Sequence, residues 1–229
     1  MTLRGLLLLG LLAAGPAASA QEDDFLVTSG RLSGEDFYRL VACRALPGGP
    51  CTVDPVRWSP EKALDLKVGI TVPAPDYPPE TIRRMSQAVD HAISEINSAG
   101  AALHLRRALE GERPDITFHL ASIREGDAIE GTGVWGVDGQ VIGAALVTVW
   151  WDIGQDLTEA VIVMAEDLPA ADIRPVVLEE LTQAMGLMTD IRNPTYDDVS
   201  VFSEDSNRVL RLGSQDKEAL RRHYPPAEP

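Results

Sequence analysis

The chain has 229 residues, and its 20 lysines and arginines stand against 35 aspartates and glutamates, which gives a formal net charge of −15. Such an acidic chain is repelled by nucleic acids and by anionic lipid surfaces, so neither is expected as a partner. Beyond residue 20 no stretch is long and apolar enough to span a bilayer, so no membrane segment is expected in the rest of the chain.

The first twenty residues have the pattern of a secretory signal peptide. Arg4 precedes an apolar run over residues 5–14, Pro16 ends that run, and Ala18-Ser19-Ala20 supplies the small residues of a cleavage site. We therefore predict cleavage after Ala20, a mature chain that begins at Gln21, and a periplasmic or secreted location. Because the segment contains one basic residue and no acid, the mature chain would keep 19 basic and 35 acidic residues, a charge near −16.

Two cysteines, Cys43 and Cys51, flank a segment rich in proline and glycine. In an oxidising compartment such a pair forms a disulfide. A zinc site is not expected here, because no second pair and no nearby histidine completes a tetrahedral set of ligands. The disulfide belongs to an N-terminal segment, residues 21–56, which precedes the main domain at residues 57–229.

Apolar patterns divide the chain into strands and helices. Residues 21–32 are expected to be a poorly ordered start. Strands are predicted, in chain order, at residues 64–72, 103–105, 115–120, 141–151 and 160–164. Helices are predicted after the N-cap Ser33, over residues 82–96, from the N-cap Asp172 to Gly186, and from the N-cap Ser214 to Tyr224. This order predicts an α+β domain with one mixed, twisted sheet, two long helices and a C-terminal helix.

The four histidines form no recognisable metal or nucleophile motif in the sequence. No two of His91, His104, His119 and His223 have the i,i+4 spacing that places both imidazoles on one helical face. His104 and His119 alternate with apolar residues of predicted strands, so both are expected to point outward. With both cysteines in a disulfide and no G-x-S-x-G sequence, serine and cysteine nucleophiles have no support.

Residues 179–190 carry the pattern that is most informative about function. They read Glu-Glu-Leu-Thr-Gln-Ala-Met-Gly-Leu-Met-Thr-Asp and resemble the active-site helix of the zincin peptidases, H-E-x-x-H-x-x-G-x-x-H/D. In that family two histidines bind zinc from one helical face, and the glutamate between them activates the bound water. On this resemblance Glu179 and Gln183 stand at the histidine positions, Glu180 at the catalytic glutamate and Gly186 at the turn glycine.

The third zinc ligand of the family falls at Thr189, or at Asp190 one residue further along the chain. The amide of Gln183 and the hydroxyl of Thr189 are poor zinc ligands, whereas the carboxylates of Glu179 and Asp190 could bind a cation. The resemblance therefore implies a degenerate zinc motif. No metal and no cofactor are expected, and Glu180 remains as a vestigial general-base position.

Further segments extend the resemblance to the matrixin-like branch of the metzincins, over residues 57–224. Arg57-Trp58 precedes the first strand, and residues 114–118 resemble the ADI-x-F strand of that branch. Phe202 stands where the branch has the methionine of its Met-turn, S-x-M, and residues 216–224 resemble its closing helix. The chain is also similar to an uncharacterised bacterial family of secreted zincin-like proteins. The resemblance implies a zincin-like fold for residues 57–229.

Three functions are compatible with a zincin-like frame that lacks its zinc ligands. The first is an exported pseudo-peptidase, a binding or structural module of the bacterial cell envelope. As in zincin clefts, an extended peptide or envelope protein would bind along a sheet edge, expected here at residues 160–164. The second is an atypical hydrolase, in which Glu180 acts with an altered metal site built from Glu179 and Asp190, or without metal. The third is an accessory protein whose groove is closed.

Overall fold

The computed structural model of the protein describes residues 25–71 and 77–226, together with the backbone of residues 18 and 19. The helices of this part of the chain are α1 (Gly34–Cys43), α2 (Pro60–Ala63), α3 (Pro79–Asn97), α4 (Ile173–Gln183) and α5 (Ser214–His223). The strands are β1 (Ala18–Ser19), β2 (Phe25–Val27), β3 (Leu66–Thr71), β4 (Leu105–Arg107), β5 (Ile116–Leu120), β6 (Ala145–Trp151), β7 (Leu157–Met164) and β8 (Asp190–Arg192). None of the described helices is both long and apolar enough to cross a bilayer.

The main sheet has the strand order β1-β6-β7-β5-β3-β4. The strands β7, β5, β3 and β4 run parallel to one another, whereas β6 runs antiparallel to β7 and the short β1 runs antiparallel to β6. A separate parallel ladder joins β2 to β8. The α+β class and the mixed sheet that the sequence predicts are confirmed.

Helices cover one face of the main sheet and enclose the larger hydrophobic core. The apolar stripe of α3, which includes Met85, Val89 and Ile96, packs in this core with residues of α4 and of the sheet. The buried residues of this core begin at Leu32 and end at Tyr224. Helix α1, from the N-terminal segment, contributes to the same core.

The segment between β5 and β6 covers the opposite face of the sheet. Its residues Ile129, Val137 and Ile142 pack on Val161 and Val163 of β7 in a second core. Because β7 is covered on both faces, its sequence is a nearly continuous apolar run rather than an alternation of apolar and polar residues.

The helices differ in number, length and capping from the sequence prediction. The described chain contains five helices, and α3, with 19 residues, is the longest of them. Ser33 caps α1 as predicted, whereas Asp172 stands at the N-cap of α4 without a capping hydrogen bond from its side chain. The N-cap of α5 is Gly213 and not Ser214, because the Gly213 N–H donates to the carboxylate of Asp216 and fixes the first turn.

Three predictions about strands differ from the structure. The start of the chain is not irregular throughout, because residues 25–27 form β2 and pair with β8, which lies far along the sequence. Residues 160–164 are not a sheet edge, because they belong to β7, which lies between β6 and β5. An edge strand has a neighbouring strand on one side only, whereas β7 has neighbours on both sides. Its continuous apolar run reflects this interior position, in which both of its faces are covered. The strand predicted at 103–105 is also displaced, since the ladder of β4 begins only at Leu105.

The predicted disulfide between Cys43 and Cys51 is confirmed. It joins the last residue of α1 to the far side of the turn, with the two Cα atoms 5.1 Å apart. A disulfide is typical of proteins that fold in an oxidising, extracellular compartment. Apart from the backbone of residues 18 and 19, the predicted signal peptide lies outside the described residues.

Candidate functional site

The last two turns of α4 carry Glu179, Glu180 and Gln183. Residues 179 and 183 are one turn apart and share a face, whereas Glu180 is rotated by about 100° from its neighbour. Glu180 and Gln183 are buried, and Glu179 keeps a partly exposed side chain. The burial follows from the sequence of the helix, whose apolar residues leave it no fully solvated face.

The loop after α4 brings Asp190 back to the helix. Nε2 of Gln183 donates to both carboxylate oxygens of Asp190, at 2.9 and 3.0 Å. Asp190 opens β8, in which it lies opposite Phe25 of β2. Thr189, the other candidate for the third ligand position, is buried, and its N–H donates to the carbonyl oxygen of Val41 in α1. Of these two candidates, Asp190 is therefore the one that the described hydrogen bonds join to Gln183.

Three other carboxylates influence Glu179. Burial raises the pKa of the Glu179 carboxyl well above its usual value, and the charges of Asp190, Glu180 and Glu204 raise it further. Glu204 comes from the loop after β8, where burial raises its own pKa and Arg192, 3.0 Å away, opposes that effect. Sequence reasoning missed Glu204, because no local pattern links that loop to α4.

The orientation of Gln183 distinguishes this cluster from a zinc-binding face. In the zincin pattern two imidazole lone pairs converge on the metal, whereas here position 183 turns an N–H donor toward a carboxylate. The opposite orientation of the amide would place its oxygen against the carboxylate oxygens, which is electrostatically unfavourable. Across residues 25–71 and 77–226, no three or more histidine, cysteine, aspartate or glutamate side chains are grouped so as to hold a metal ion.

Two aromatic side chains from distant segments hold the C-terminal end of α4. Nε1 of Trp58 donates to the Ala184 carbonyl at 3.0 Å, and the Tyr224 hydroxyl donates to the Met185 carbonyl at 2.6 Å. The same hydroxyl accepts from the backbone N–H of Trp58 at 3.1 Å. Carbonyl groups at the end of a helix lack partners within it, so these side chains supply hydrogen bonds that the buried chain end requires.

Gly186 allows the chain to turn back against Val56. Its φ angle is +91°, and a Cβ atom here would lie 2.0 Å from the carbonyl oxygen of Val56. The same oxygen lies 2.9 Å from Nε2 of His223, which must therefore be the protonated nitrogen, while Nδ1 lies 3.3 Å from the hydroxyl of Tyr38. Burial lowers the pKa of His223 to about 4, although the Val56 carbonyl opposes this shift. His223 is thus a neutral structural residue.

The turn that contains Phe202 rests on a buried carboxylate. Asp216 accepts from the Ser200 hydroxyl at 2.6 Å and from the Val201 N–H at 3.2 Å. Burial raises the pKa of Asp216, and its hydrogen bonds oppose the shift. The ring of Phe202 is fully buried and meets Phe37 edge-on, with the ring centroids 6.0 Å apart. Phe202 therefore occupies a core position beneath the turn.

The structure separates the two strand histidines that sequence reasoning treats alike. His104 is exposed, as predicted. His119 is half-buried, because the segment between β5 and β6 covers that face of the sheet. Burial lowers the pKa of His119, and the nearby charge of Asp138 opposes the shift.

The two edges of the main sheet differ in charge. At one edge β4 carries Arg106 and Arg107, and the first of these forms ion pairs with Asp65 and Glu112. At the other edge the two-residue β1 pairs with only part of β6, which reads Ala-Leu-Val-Thr-Val-Trp-Trp, with no charge, proline or glycine. Charged edges resist pairing with a further strand, and uncharged edges accept one. On β6 that pairing is present, because β1 lies antiparallel to it at residues 148 and 149.

The chain matches no protein-family model, and no curated protein matches its sequence.

Proposed function

We propose that the mature chain is an exported pseudo-peptidase, a zincin-like frame without zinc ligands that binds an extended peptide or envelope protein in the bacterial periplasm. The observation that carries this proposal is the uncharged edge of β6, on which β1 lies antiparallel. Main-chain hydrogen bonds along such an edge supply affinity, and alternating side chains supply specificity. The proposed binding edge is thus β6 and not the strand at residues 160–164.

The contacts of α4 support the zincin-like frame in this proposal. The segments that carry the resemblance are far apart in sequence, yet Trp58 and Tyr224 both bond to the end of α4, and Gly186 turns there against Val56. Helix α4 also contacts β6. The proposed groove therefore has the β6 edge on one side and the helix that carries Glu179 on another.

In the test, peptides that bind the mature protein in an extended conformation are first selected from a peptide library. Their affinities for two variants of the protein are then compared to locate the binding site. Trp150→Lys places a charge on the edge strand, and Glu159→Lys places the same charge directly opposite on β7, one strand further in. Because a charged side chain on the edge strand opposes pairing with a further strand, Trp150→Lys should lower affinity about tenfold, whereas Glu159→Lys should bind nearly as the wild type does. Selected peptides that bind both variants equally would contradict binding at the β6 edge.

A second function, an atypical hydrolase that uses Glu180, is favoured by one observation. The charges of three other carboxylates act on Glu179 near the end of α4, and its carboxyl has a raised pKa, which is common at catalytic sites. Metal analysis of the mature protein, purified without chelator, separates the two functions. A stoichiometric metal that is lost in Glu179→Ala, with peptide or glycan hydrolysis that is lost in Glu180→Gln, would establish the hydrolase. A wild type without turnover on these substrates would rule it out.

A further inference from the structure

The uncharged edge strand β6 belongs to a stretch of the chain whose charges are all negative. Residues 125–173, which include β6 and β7, contain ten aspartates and glutamates and no lysine, arginine or histidine. Residues 25–124, which include the opposite edge strand β4, contain twelve lysines and arginines against twelve aspartates and glutamates. The charge of the chain is therefore distributed unevenly between the two edges of the main sheet.

Acidic residues lie at both ends of β6. Asp152 and Asp156 belong to the turn that joins β6 to β7, and the Asp152 carboxylate accepts hydrogen bonds from the backbone of this turn. At the start of β6, the Ala165 N–H donates to the carbonyl oxygen of Ala144 at 3.1 Å. This contact holds the loop that carries Asp167 beside the first residues of the strand.

The segment between β5 and β6 adds negative charge on one face of the edge. It packs on Leu146 of β6. The N–H of Glu125 donates to the Asp167 carboxylate at 3.1 Å, which places Glu125 near the start of β6. Glu125, Asp127 and Glu130 are all exposed. A strand added to β6 would therefore have carboxylates beyond both of its ends and on one of its faces.

Few of these carboxylates are neutralised within the protein. In the part of the chain that the structure describes, two of the ten form ion pairs, Glu159 with Arg113 and Glu166 with Arg124. Nor are three or more metal-binding side chains of the described residues grouped so as to hold an ion. Dispersed negative charge of this kind attracts a partner that carries several positive charges along its length.

We propose that the β6 edge binds an extended segment rich in lysine and arginine. This inference rests on the proposed binding function and adds the charge of the partner. Main-chain pairing with an edge strand is largely independent of sequence, so the selection must come from side chains. The surrounding carboxylates supply it, because they attract lysine and arginine and repel aspartate and glutamate.

The experiment is an NMR titration of the mature chain, residues 21–229, with three short peptides that have blocked ends and the repeating sequence X-Thr-Val. The residue X is lysine, glutamine or glutamate, and threonine and valine favour the extended conformation. A repeat of three places successive X side chains on opposite faces of a strand. Every buried core residue that the structure describes lies between Leu32 and Tyr224, so the mature chain keeps both cores.

The amide signals of β6 report which peptide occupies the edge and how tightly. At about 20 mM salt we expect the lysine peptide to bind about 10-fold more tightly than the glutamine peptide, and the glutamate peptide to bind most weakly. The preference for lysine should shrink to about 2-fold at about 0.5 M salt, because the charges are then screened.

Two double variants separate the local charge from the net charge of the protein. Glu125→Gln with Glu130→Gln removes two exposed carboxylates from the segment that packs on β6. Glu61→Gln with Glu110→Gln is the matched control, because it removes two exposed carboxylates from α2 and from the loop after β4. At low salt the first variant should lower the preference for lysine about 3-fold, and the control should change it little.

Three results would overturn the selection for positive charge. If the lysine and glutamine peptides shift the β6 signals with equal affinity, edge binding stands without this selection. If both double variants lose the preference equally, it comes from the net charge of the protein and not from the surroundings of β6. If no peptide shifts the β6 signals, the inference fails, and the Trp150→Lys comparison shows separately whether the edge binds any peptide.

Discussion

Replacing Gly186 with alanine should cost more stability than replacing a glycine of the same conformation elsewhere. Gly186 and Gly139 have φ angles of +91° and +93°, yet a Cβ atom at Gly139 would meet nothing within 4 Å. At Gly186 it would lie 2.0 Å from the Val56 carbonyl oxygen and 3.0 Å from Nε2 of His223. The two variants therefore share the cost of a left-handed alanine and differ in the steric clash.

The magnitudes follow from these contacts. A left-handed alanine costs about 1–2 kcal/mol, which is the full loss expected for Gly139→Ala. In Gly186→Ala the Val56 carbonyl must also move and give up its buried hydrogen bond with His223, which adds about 1–3 kcal/mol. We therefore expect Gly186→Ala to lower the free energy of unfolding by about 2–5 kcal/mol.

Chemical denaturation followed by tryptophan fluorescence measures both losses, provided that the two variants unfold with the same denaturant dependence as the wild type. Equal losses in Gly186→Ala and Gly139→Ala, to within about 0.5 kcal/mol, would refute the reasoning. The turn after α4 would then be a conformational requirement without a close approach to Val56.

Three further predictions concern the residues around α4. The pKa of His223 is about 4 in the folded chain and 6.5 for a free side chain, so protonation favours the unfolded chain. The free energy of unfolding should therefore fall by up to about 3 kcal/mol between pH 6.5 and 4. Chemical denaturation of His223→Gln should not show this dependence on pH. Tyr224→Phe leaves the Met185 carbonyl and the Trp58 N–H unpaired, and thermal and chemical unfolding should show a loss of about 2–4 kcal/mol, whereas an unchanged stability would contradict the buried geometry. The raised pKa of Glu179 in the folded chain contributes stability that is present below pH 4.5 and is lost as the pH rises. Glu179→Gln should therefore be more stable than the wild type at pH 7 and equally stable in acid. The same difference in the free energy of unfolding at both pH values would exclude ionisation of Glu179 as the cause.

Local periodicity predicted the elements that obey it. The apolar residues of α3 recur at helical spacing, and the strand β5 alternates between buried and half-buried residues, so both were found close to their actual bounds. The order of strands in the sheet could not be predicted in the same way. The continuous apolar run of β7 indicates burial on both faces, but which strand lies beside it depends on pairing between segments distant in sequence.

The candidate site shows the same division between local and long-range information. The i,i+4 spacing predicted that Glu179 and Gln183 share a face of α4, and it left Thr189 and Asp190 as alternatives for the third position. The contact of Gln183 with Asp190 depends on the position of β8, which pairs with β2 far away in the sequence, and no local pattern predicts that pairing. Glu204 enters from an irregular loop, and no local pattern links that loop to α4.

Contacts from other parts of the chain hold the end of α4. In metal-dependent folds the bound ion contributes directly to the free energy of folding. Here the corresponding end of the helix is fixed by hydrogen bonds from Trp58 and Tyr224, and by the His223 contact with Val56 beneath Gly186. If the chain has the zincin-like frame that we propose, these contacts would hold the end of α4 in the absence of zinc ligands. In the proposed function the backbone groups of β6, which do not depend on the helix side chains, would then bind the extended segment.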